Sequence, residues 1–473
     1  MTQPRFDSAL LINPPTGLYR RDDRCQSKVE DQTVNIIFPP IELASIAAVL
    51  RRGGARVKIG DYPAHRQSWD DYVADLREFK PGFLLVNVTT ATLDKDLQAL
   101  AAAKDTLPGI LTLAKGECLD ALGAQVLEQN PAVDFCIHGE IETVLEQLQA
   151  GAPLDALPGL VWRSEGKVIT NPGHPLVEDL NTLPIPARDL LDNNIYLSPE
   201  TGRPLTVLHG NRGCVAHCIF CPAGAMSGYR IRYRKPELIM AEIDECVTRF
   251  GIREFLFHGD TFTMSKQWLV ELCDLIIASG HKIHWGCNSR VDTIDDERAA
   301  KMKAAGCWVV AFGVETGSQA IMDAIKKKQK VERAFEAKKI CRRNGLRFQA
   351  FFVIGTPLET RATLKETFDY ARRLDPDFFD FNIAYPLPGT ELFDIVKREG
   401  LFEREPSAAG YGDAAVRTRE LSSADLTAWR RKALLSMYLR PRYIARTLIR
   451  AGSPRVMKNY LKAGLKRFRQ LTK

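Results

Sequence analysis

The chain has 473 residues, 45% of them apolar and 26% charged, the balance of a globular protein and not of a disordered or fibrous one. No apolar run approaches the ~18 residues that would span a membrane, and Met1-Thr2-Gln3-Pro4-Arg5-Phe6-Asp7 leads straight into a short apolar strand, so no signal peptide is expected. Eleven cysteines in such a chain read as thiols of a reducing cytosol, and the net charge of +7 is concentrated in residues 426–473, with fourteen Lys or Arg and no Asp or Glu.

Short apolar strands are expected at 9–13, 57–61, 83–89, 110–113 and 133–137, with helical spacing at 41–50, 72–79, 93–102 and 118–129. Strand–helix alternation with apolar strands predicts a parallel sheet covered on both faces. A ligand of such a sheet lies beyond the strands' carboxyl ends. The segments there are Asn13-Pro14-Pro15, Asp61-Tyr62-Pro63, Thr89-Thr90-Ala91-Thr92, Lys115-Gly116-Glu117 and His138-Gly139-Glu140. Residues 149–204 are rich in Pro and Gly and read as a linker carrying one hairpin, Leu160-Val161-Trp162 then Lys167-Val168-Ile169. From 205 the alternation resumes, with six strands at 206–210, 254–258, 283–288, 308–314, 348–354 and 378–384. Six such units make an incomplete barrel whose chemistry belongs at the strand carboxyl ends. Residues 396–473 read as a basic helical region.

The strongest local signal is Cys214-Val215-Ala216-His217-Cys218-Ile219-Phe220-Cys221, directly after the first barrel strand. Three thiolates this close can share one metal centre. A structural zinc would need a fourth ligand, locally only His217. A [4Fe–4S] cluster held by three cysteines leaves one iron open to a substrate or cofactor.

The spacing Cys-x3-Cys-x-aromatic-Cys after strand one of a barrel resembles the radical S-adenosylmethionine (SAM) superfamily. The resemblance implies that Cys214, Cys218 and Cys221 bind the cluster, whose open iron chelates SAM, and that one electron then yields a 5′-deoxyadenosyl radical. It also assigns SAM contacts at the strand ends: Phe220 in the motif, Asp260 in Phe257-His258-Gly259-Asp260, Arg290 in Asn288-Ser289-Arg290, and Glu315 in Gly313-Val314-Glu315-Thr316-Gly317. Gly355 belongs to Val353-Ile354-Gly355-Thr356-Pro357-Leu358-Glu359, similar to the motif that packs on adenine, with Leu358 where Gly is commoner. Tyr385-Pro386-Leu387-Pro388-Gly389-Thr390 resembles a motif of cobalamin-associated members.

The first domain is similar to the cobalamin-binding domain that precedes many such barrels. The implied cobalamin contacts are Pro14, Thr89, Thr90, Gly116, Gly139 and Glu140. The Asp-x-His-x-x-Gly motif that ligates cobalt elsewhere is absent, Asp61 being followed by Tyr62 and Pro63, and Lys115-Gly116 stands where Gly-Gly is usual. The fold class implied is α/β: a doubly wound, Rossmann-like cobalamin-type domain over 1–148, a linker over 149–204, a partial (β/α)6 radical SAM barrel over 205–395, and a helical C-terminal extension over 396–473.

The overall arrangement is similar to the anaerobic magnesium-protoporphyrin IX monomethyl ester cyclase group. It implies a cobalamin-dependent radical SAM enzyme, foremost a methyltransferase at an unactivated carbon of a small-molecule or lipid substrate. Radical cyclisation or ring rearrangement is the alternative reaction, and a corrinoid or cluster sensor without turnover the alternative of another class. An electron donor such as flavodoxin or ferredoxin is implied. Cys25, Cys118 and Cys136, the set that would hold a second cluster, read as structural, as do Cys246, Cys273, Cys307 and Cys341. The tail's apolar residues recur at helical spacing beside its cations. It reads either as a helical cap on the barrel or as a surface helix on an anionic membrane, with nucleic acid not expected. The location implied is cytoplasmic, with or without contact to the inner membrane face.

Overall fold

Two strands of the first sheet, β1 (Ser8–Asn13) and β3 (Phe83–Asn87), are buried along their whole length, so both faces of the sheet must carry helices. The structure is a computed structural model, and it describes residues 5–21, 26–31, 36–404 and 412–472. With β2 (Arg56–Asp61), β4 (Leu111–Lys115) and β5 (Phe135–Ile137) the parallel order is β2-β1-β3-β4-β5. Helices Ile41–Arg52 and Glu142–Gln149 pack one face through Leu43, Ala47, Leu145 and Leu148. Helices Trp69–Phe79, Leu93–Thr106 and Leu119–Gln129 pack the other through Leu76, Leu100 and Leu127. The winding reverses between β1 and β3, which makes the crevice beyond their carboxyl ends the binding position of such a sheet. Asn13 and Asn87 meet there, 3.1 Å apart.

The expected hairpin is β6 (Leu160–Ser164) and β7 (Lys167–Thr170), but it is not part of a free linker. β6 pairs antiparallel with β5 and extends the first sheet to seven strands. Without it β5 would be an exposed edge, and the buried Leu160, Val161 and Trp162 find their core there.

The second sheet is parallel in the order β15-β14-β13-β12-β11-β8. Its strands are β8 (Leu205–His209), β11 (Glu254–His258), β12 (His284–Ser289), β13 (Cys307–Glu315), β14 (Arg347–Ile354) and β15 (Phe378–Ile383). A short antiparallel pair, β9 (Asn211–Arg212) and β10 (Arg232–Tyr233), brackets the cysteine loop. The barrel does not close on itself, and its two edges are covered from elsewhere. Val207 of β8 packs on Ile41 and Ala44 of the first domain's leading helix. Helix Ser423–Tyr438 lies on β15, with Tyr438 stacked on Phe379 at 4.6 Å.

Buried ion pairs clamp the two domains around the cysteine loop. Arg232 of β10 meets Glu140 in a two-bond fork at 2.8 and 2.7 Å, and Arg212 of β9 meets Glu142 at 2.6 Å. Arg188 and Arg234 share Glu242 at 2.6 and 2.5 Å. Helices Pro441–Ile449 and Pro454–Thr472 follow, and among the described residues no helix is long and apolar enough to cross a membrane.

Candidate active site

The cysteine loop starts on a glycine that no other residue can replace. Gly213 has φ +92°, and a Cβ there would run into the carbonyl of Arg230. Its N–H donates to the Asp260 carboxylate at 2.6 Å, and the Cys214 N–H donates to the Gly228 carbonyl at 3.1 Å. The far side is pinned through Ile219: its N–H meets the Ile325 carbonyl at 3.2 Å, and its carbonyl takes the Leu392 N–H at 2.8 Å. Ile219 is buried and Phe220 packs beside it against Ile321, Met322 and Leu392. The loop is thus irregular and fixed at both ends.

Among the ten described cysteines, only Cys214, Cys218 and Cys221 reach solvent, and the other seven are buried. Cys118 and Cys136 are in that buried group, and Cys25 lies outside the described residues. Burial pushes the Cys218 thiol up, against the pull of the Lys327 and Arg290 charges towards thiolate. Cys221 is likewise pushed up, to about 12, by burial, with Cys218, Asp260 and Cys214 adding to the rise. Cys218 and Cys221 thus both feel the charge of Cys214, and a metal held here would have to displace thiol protons.

Among the described residues no three His, Cys, Asp or Glu side chains converge on one ion-sized point. A single zinc with Zn–S near 2.3 Å would hold its sulfurs about 3.8 Å apart. In a cubane each thiolate takes its own iron, so the sulfurs stand further apart. His217, the one local candidate for a fourth zinc ligand, is exposed and stacked on Tyr229 at 4.2 Å.

The barrel strand ends bring most of the expected residues to this loop. Glu315 ends β13 in a left-handed conformation, φ +63°, at a register shift in the β13–β14 pairing. A buried, charged residue held there is strained. It is held by an ion pair with Lys327, both side chains about 7% exposed. Gly313 makes the room, since a Cβ there would meet both partners of the pair. Arg290 donates to the Lys327 carbonyl at 3.3 Å and pairs with Asp292 at 2.8 Å. Asp260 stands under the start of the cysteine loop, bound to the Gly213 N–H. Gly355 has φ +87° and supplies the turn that Leu358 could not, and Leu426 packs against it. Its N–H donates to Glu359, whose carboxyl burial pushes up to about 8.

Lys327 was not among the expected residues. It lies in Lys326-Lys327-Lys328-Gln329-Lys330, a run of cations that reads as a solvated face. The tie between Ile325 and Ile219, with left-handed Lys326 and Lys328 on either side, fixes the turn from which Lys327 points inward.

The first domain's strand ends are disposed differently. Thr89 is fully buried and bonds Asp96 and Thr92, and Thr90 takes Gln26 and Glu117 as partners. A Cβ on Gly116 would meet the Val88 carbonyl at 2.6 Å, a close approach to backbone. Gly139 donates its N–H to Asp120 at 2.8 Å, the Pro14 carbonyl accepts from Thr16 at 2.8 Å, and Glu140 is committed to Arg232. Arg21 enters the crevice from the segment after β1 and binds Asp96, the Asn87 carbonyl and Thr16. Arg20 from the same segment reaches His258 of the barrel at 3.0 Å.

Residues 209–371 match the Radical SAM superfamily model, and residues 30–149 match the B12 binding domain model. The chain thus carries a radical SAM domain behind a B12-binding domain. A curated relative from Pyrococcus horikoshii, the uncharacterized methyltransferase PH0819, is 29% identical over 93% of this chain and 94% of its own length. The anaerobic magnesium-protoporphyrin IX monomethyl ester cyclase of Rubrivivax gelatinosus is 27% identical over 75% of this chain and 66% of its own. The solved structure of the cobalamin-dependent S-adenosylmethionine radical enzyme OxsB, bound to aqua-cobalamin and S-adenosylmethionine, has the same fold. Its TM-score is 0.71 at 16% identity, over 98% of this chain and 72% of that one.

This radical SAM chain, with a B12-binding domain ahead of its barrel, offers its two cofactor regions unequal fits. A [4Fe–4S] cluster fits the cysteine loop, because three thiols that reach solvent share one short loop fixed at both ends. SAM, with a carboxylate and an ammonium, fits the neighbouring Arg290, Lys327, Glu315 and Asp260. A corrinoid fits the position of the first domain's crevice but not its present volume. Beside Asn13, Arg20, Phe38, Asp61, His209 and His258 a cavity of about 50 Å³ remains, against the several hundred that a cofactor-sized site needs. Leu18, Tyr19, Arg20 and Arg21 line this cavity from the segment after β1.

Proposed function

We propose that this radical SAM enzyme is a cobalamin-dependent methyltransferase acting at an unactivated carbon of a small-molecule substrate. The observation that carries the reading is the cysteine loop itself: three solvent-reaching thiols pinned between Asp260 on one side and Arg290, Lys327 and Glu315 on the other. When bound, the cluster with SAM supplies the radical that takes hydrogen from substrate, and cobalamin supplies the methyl group. The protein's part is placement and charge. Arg290, steadied by Asp292 through its Nε and one terminal nitrogen, brings its positive charge to a carboxylate, and Glu315 offers an acceptor to an ammonium. Lys327 pairs with Glu315 and keeps it in place, while Asp260 holds the Gly213 N–H and so the start of the loop. Leu426 of the C-terminal helix packs behind Gly355 and keeps water from that side. The electron comes from a small redox protein of the flavodoxin or ferredoxin type.

The full-length match to a methyltransferase supports methylation, and the match to the cyclase supports a second reading, oxidative cyclisation. Incubating the anaerobically reconstituted protein with methyl-deuterated SAM, reductant, cobalamin and a small-molecule extract separates the two. Label in an extract component supports methylation, and hydrogen loss without label supports cyclisation. Absence of 5′-deoxyadenosine with every reductant overturns both.

A further inference from the structure

The last helix, Pro454–Thr472, has three distinct sides. One faces the protein: Arg467 and Leu471 are buried, Asn459 donates to the Glu200 carbonyl at 3.0 Å, and the Tyr460 hydroxyl donates to the Glu200 carboxylate. This side caps the barrel, as Tyr460 meets Phe378 of β15. A second side carries Met457, Leu461, Leu465 and Phe468, exposed at 40, 47, 61 and 43%. Spaced by four, four and three residues, they form one stripe along the helix. The third side carries Lys458, Lys462, Lys466 and Arg469, each one position on and so roughly 100° further round, and all four are exposed. A helix that served only as a cap would turn its leucines inward. This one buries Leu471 but turns Leu461 and Leu465 to solvent beside a row of cations.

We propose that this outward face is a docking surface for an anionic lipid bilayer. Charge complementarity selects a polyanion, because residues 426–473 hold fourteen Lys or Arg and no Asp or Glu. The apolar stripe selects among polyanions. A nucleic acid offers phosphates but no place for Leu461 and Leu465, whereas a bilayer offers headgroups to the lysines and an acyl boundary to the leucines. Ile449, exposed at 81% at the end of the preceding helix, adds a further apolar side chain next to this segment. The surface lies outside the barrel's chemistry, so it stands or falls separately from the proposed methyl transfer.

The test is co-sedimentation of the full-length protein with phosphatidylcholine vesicles, with and without phosphatidylglycerol, at low and high salt. The wild type pellets with the mixed vesicles only, and salt weakens it. The paired changes Leu461→Glu with Leu465→Glu, or Lys462→Glu with Lys466→Glu, lower partitioning about tenfold or more, with helix content and bound iron unchanged. Pelleting that ignores phosphatidylglycerol or the leucine pair overturns the proposal. So does a vesicle-free dimer that the leucine pair dissolves, or retention of RNA that survives the leucine changes without any vesicle binding.

Discussion

The barrel and the first domain end their parallel strands in opposite ways. In the barrel, Arg290, Glu315 and Lys327 stay gathered beside three partly exposed thiols. In the first domain, Thr89, Thr90 and Glu117 are satisfied from within the chain, by Asp96, Thr92 and Gln26, and Arg21 seals the crevice. The two sheets obey the same rule about where a ligand sits. They differ in what still reaches solvent at that place: three thiols in the barrel, whereas Arg21 and Gln26 cover the polar groups of the first domain. A fold locates a site, while the groups left reaching solvent there decide whether it is open.

The largest effect should come from the thiols. On the proposed ligation, Cys218→Ser removes one iron ligand and should abolish both the cluster's visible absorbance and 5′-deoxyadenosine formation, with the first domain still folded by circular dichroism. Retention of full iron would break the contrast drawn above. Lys327→Met leaves the buried Glu315 charge without its partner and should cost about 3–5 kcal/mol of stability. It should also weaken SAM binding by equilibrium dialysis, and Lys327→Arg should recover part of both. Arg21→Met strips Asp96 of its ion pair but leaves hydrogen bonds from Thr16, Thr89 and Thr92. Its cost should be smaller, about 2–3 kcal/mol, in urea unfolding, with iron content unchanged. Loss of iron in this variant would merge the two regions that the comparison separates.

The smallest effect is a pH dependence. Burial raises the folded-state pKa of Glu359 from 4.5 to about 8. Between those values the unfolded chain has lost a proton that the folded chain keeps, so this group makes stability fall as pH rises through that window. Glu359→Gln should remove that part of the slope, gaining on the parent most near pH 8. Parallel stability curves for the two proteins would refute it.

Much of the architecture was legible because the strands are apolar blocks separated by helical spacing. Every barrel strand from β8 to β15 lies within a residue or two of its expected position. The three cysteines were legible because their spacing carries chemistry by itself. The hairpin β6–β7 was legible as a hairpin but not as part of the first sheet, since nothing local says which edge strand it will pair. Lys327 was hidden because a run of lysines looks solvated, and a distant backbone tie at Ile219 fixes the turn from which one of them points inward. Glu140 and Arg232, ninety-two positions apart, form a clamp that no local pattern announces. The closed crevice was equally unreadable, because Arg21 and Gln26 lie far in sequence from the Asp96 and Glu117 they meet.

The most direct test of the cysteine loop is electron paramagnetic resonance of the anaerobically reconstituted, reduced protein titrated with SAM. About four irons per chain, with a cluster spectrum that changes when SAM is added, is the result expected of three ligating thiols and one open iron. Bound zinc without iron, or a cluster spectrum that SAM leaves untouched, would contradict it.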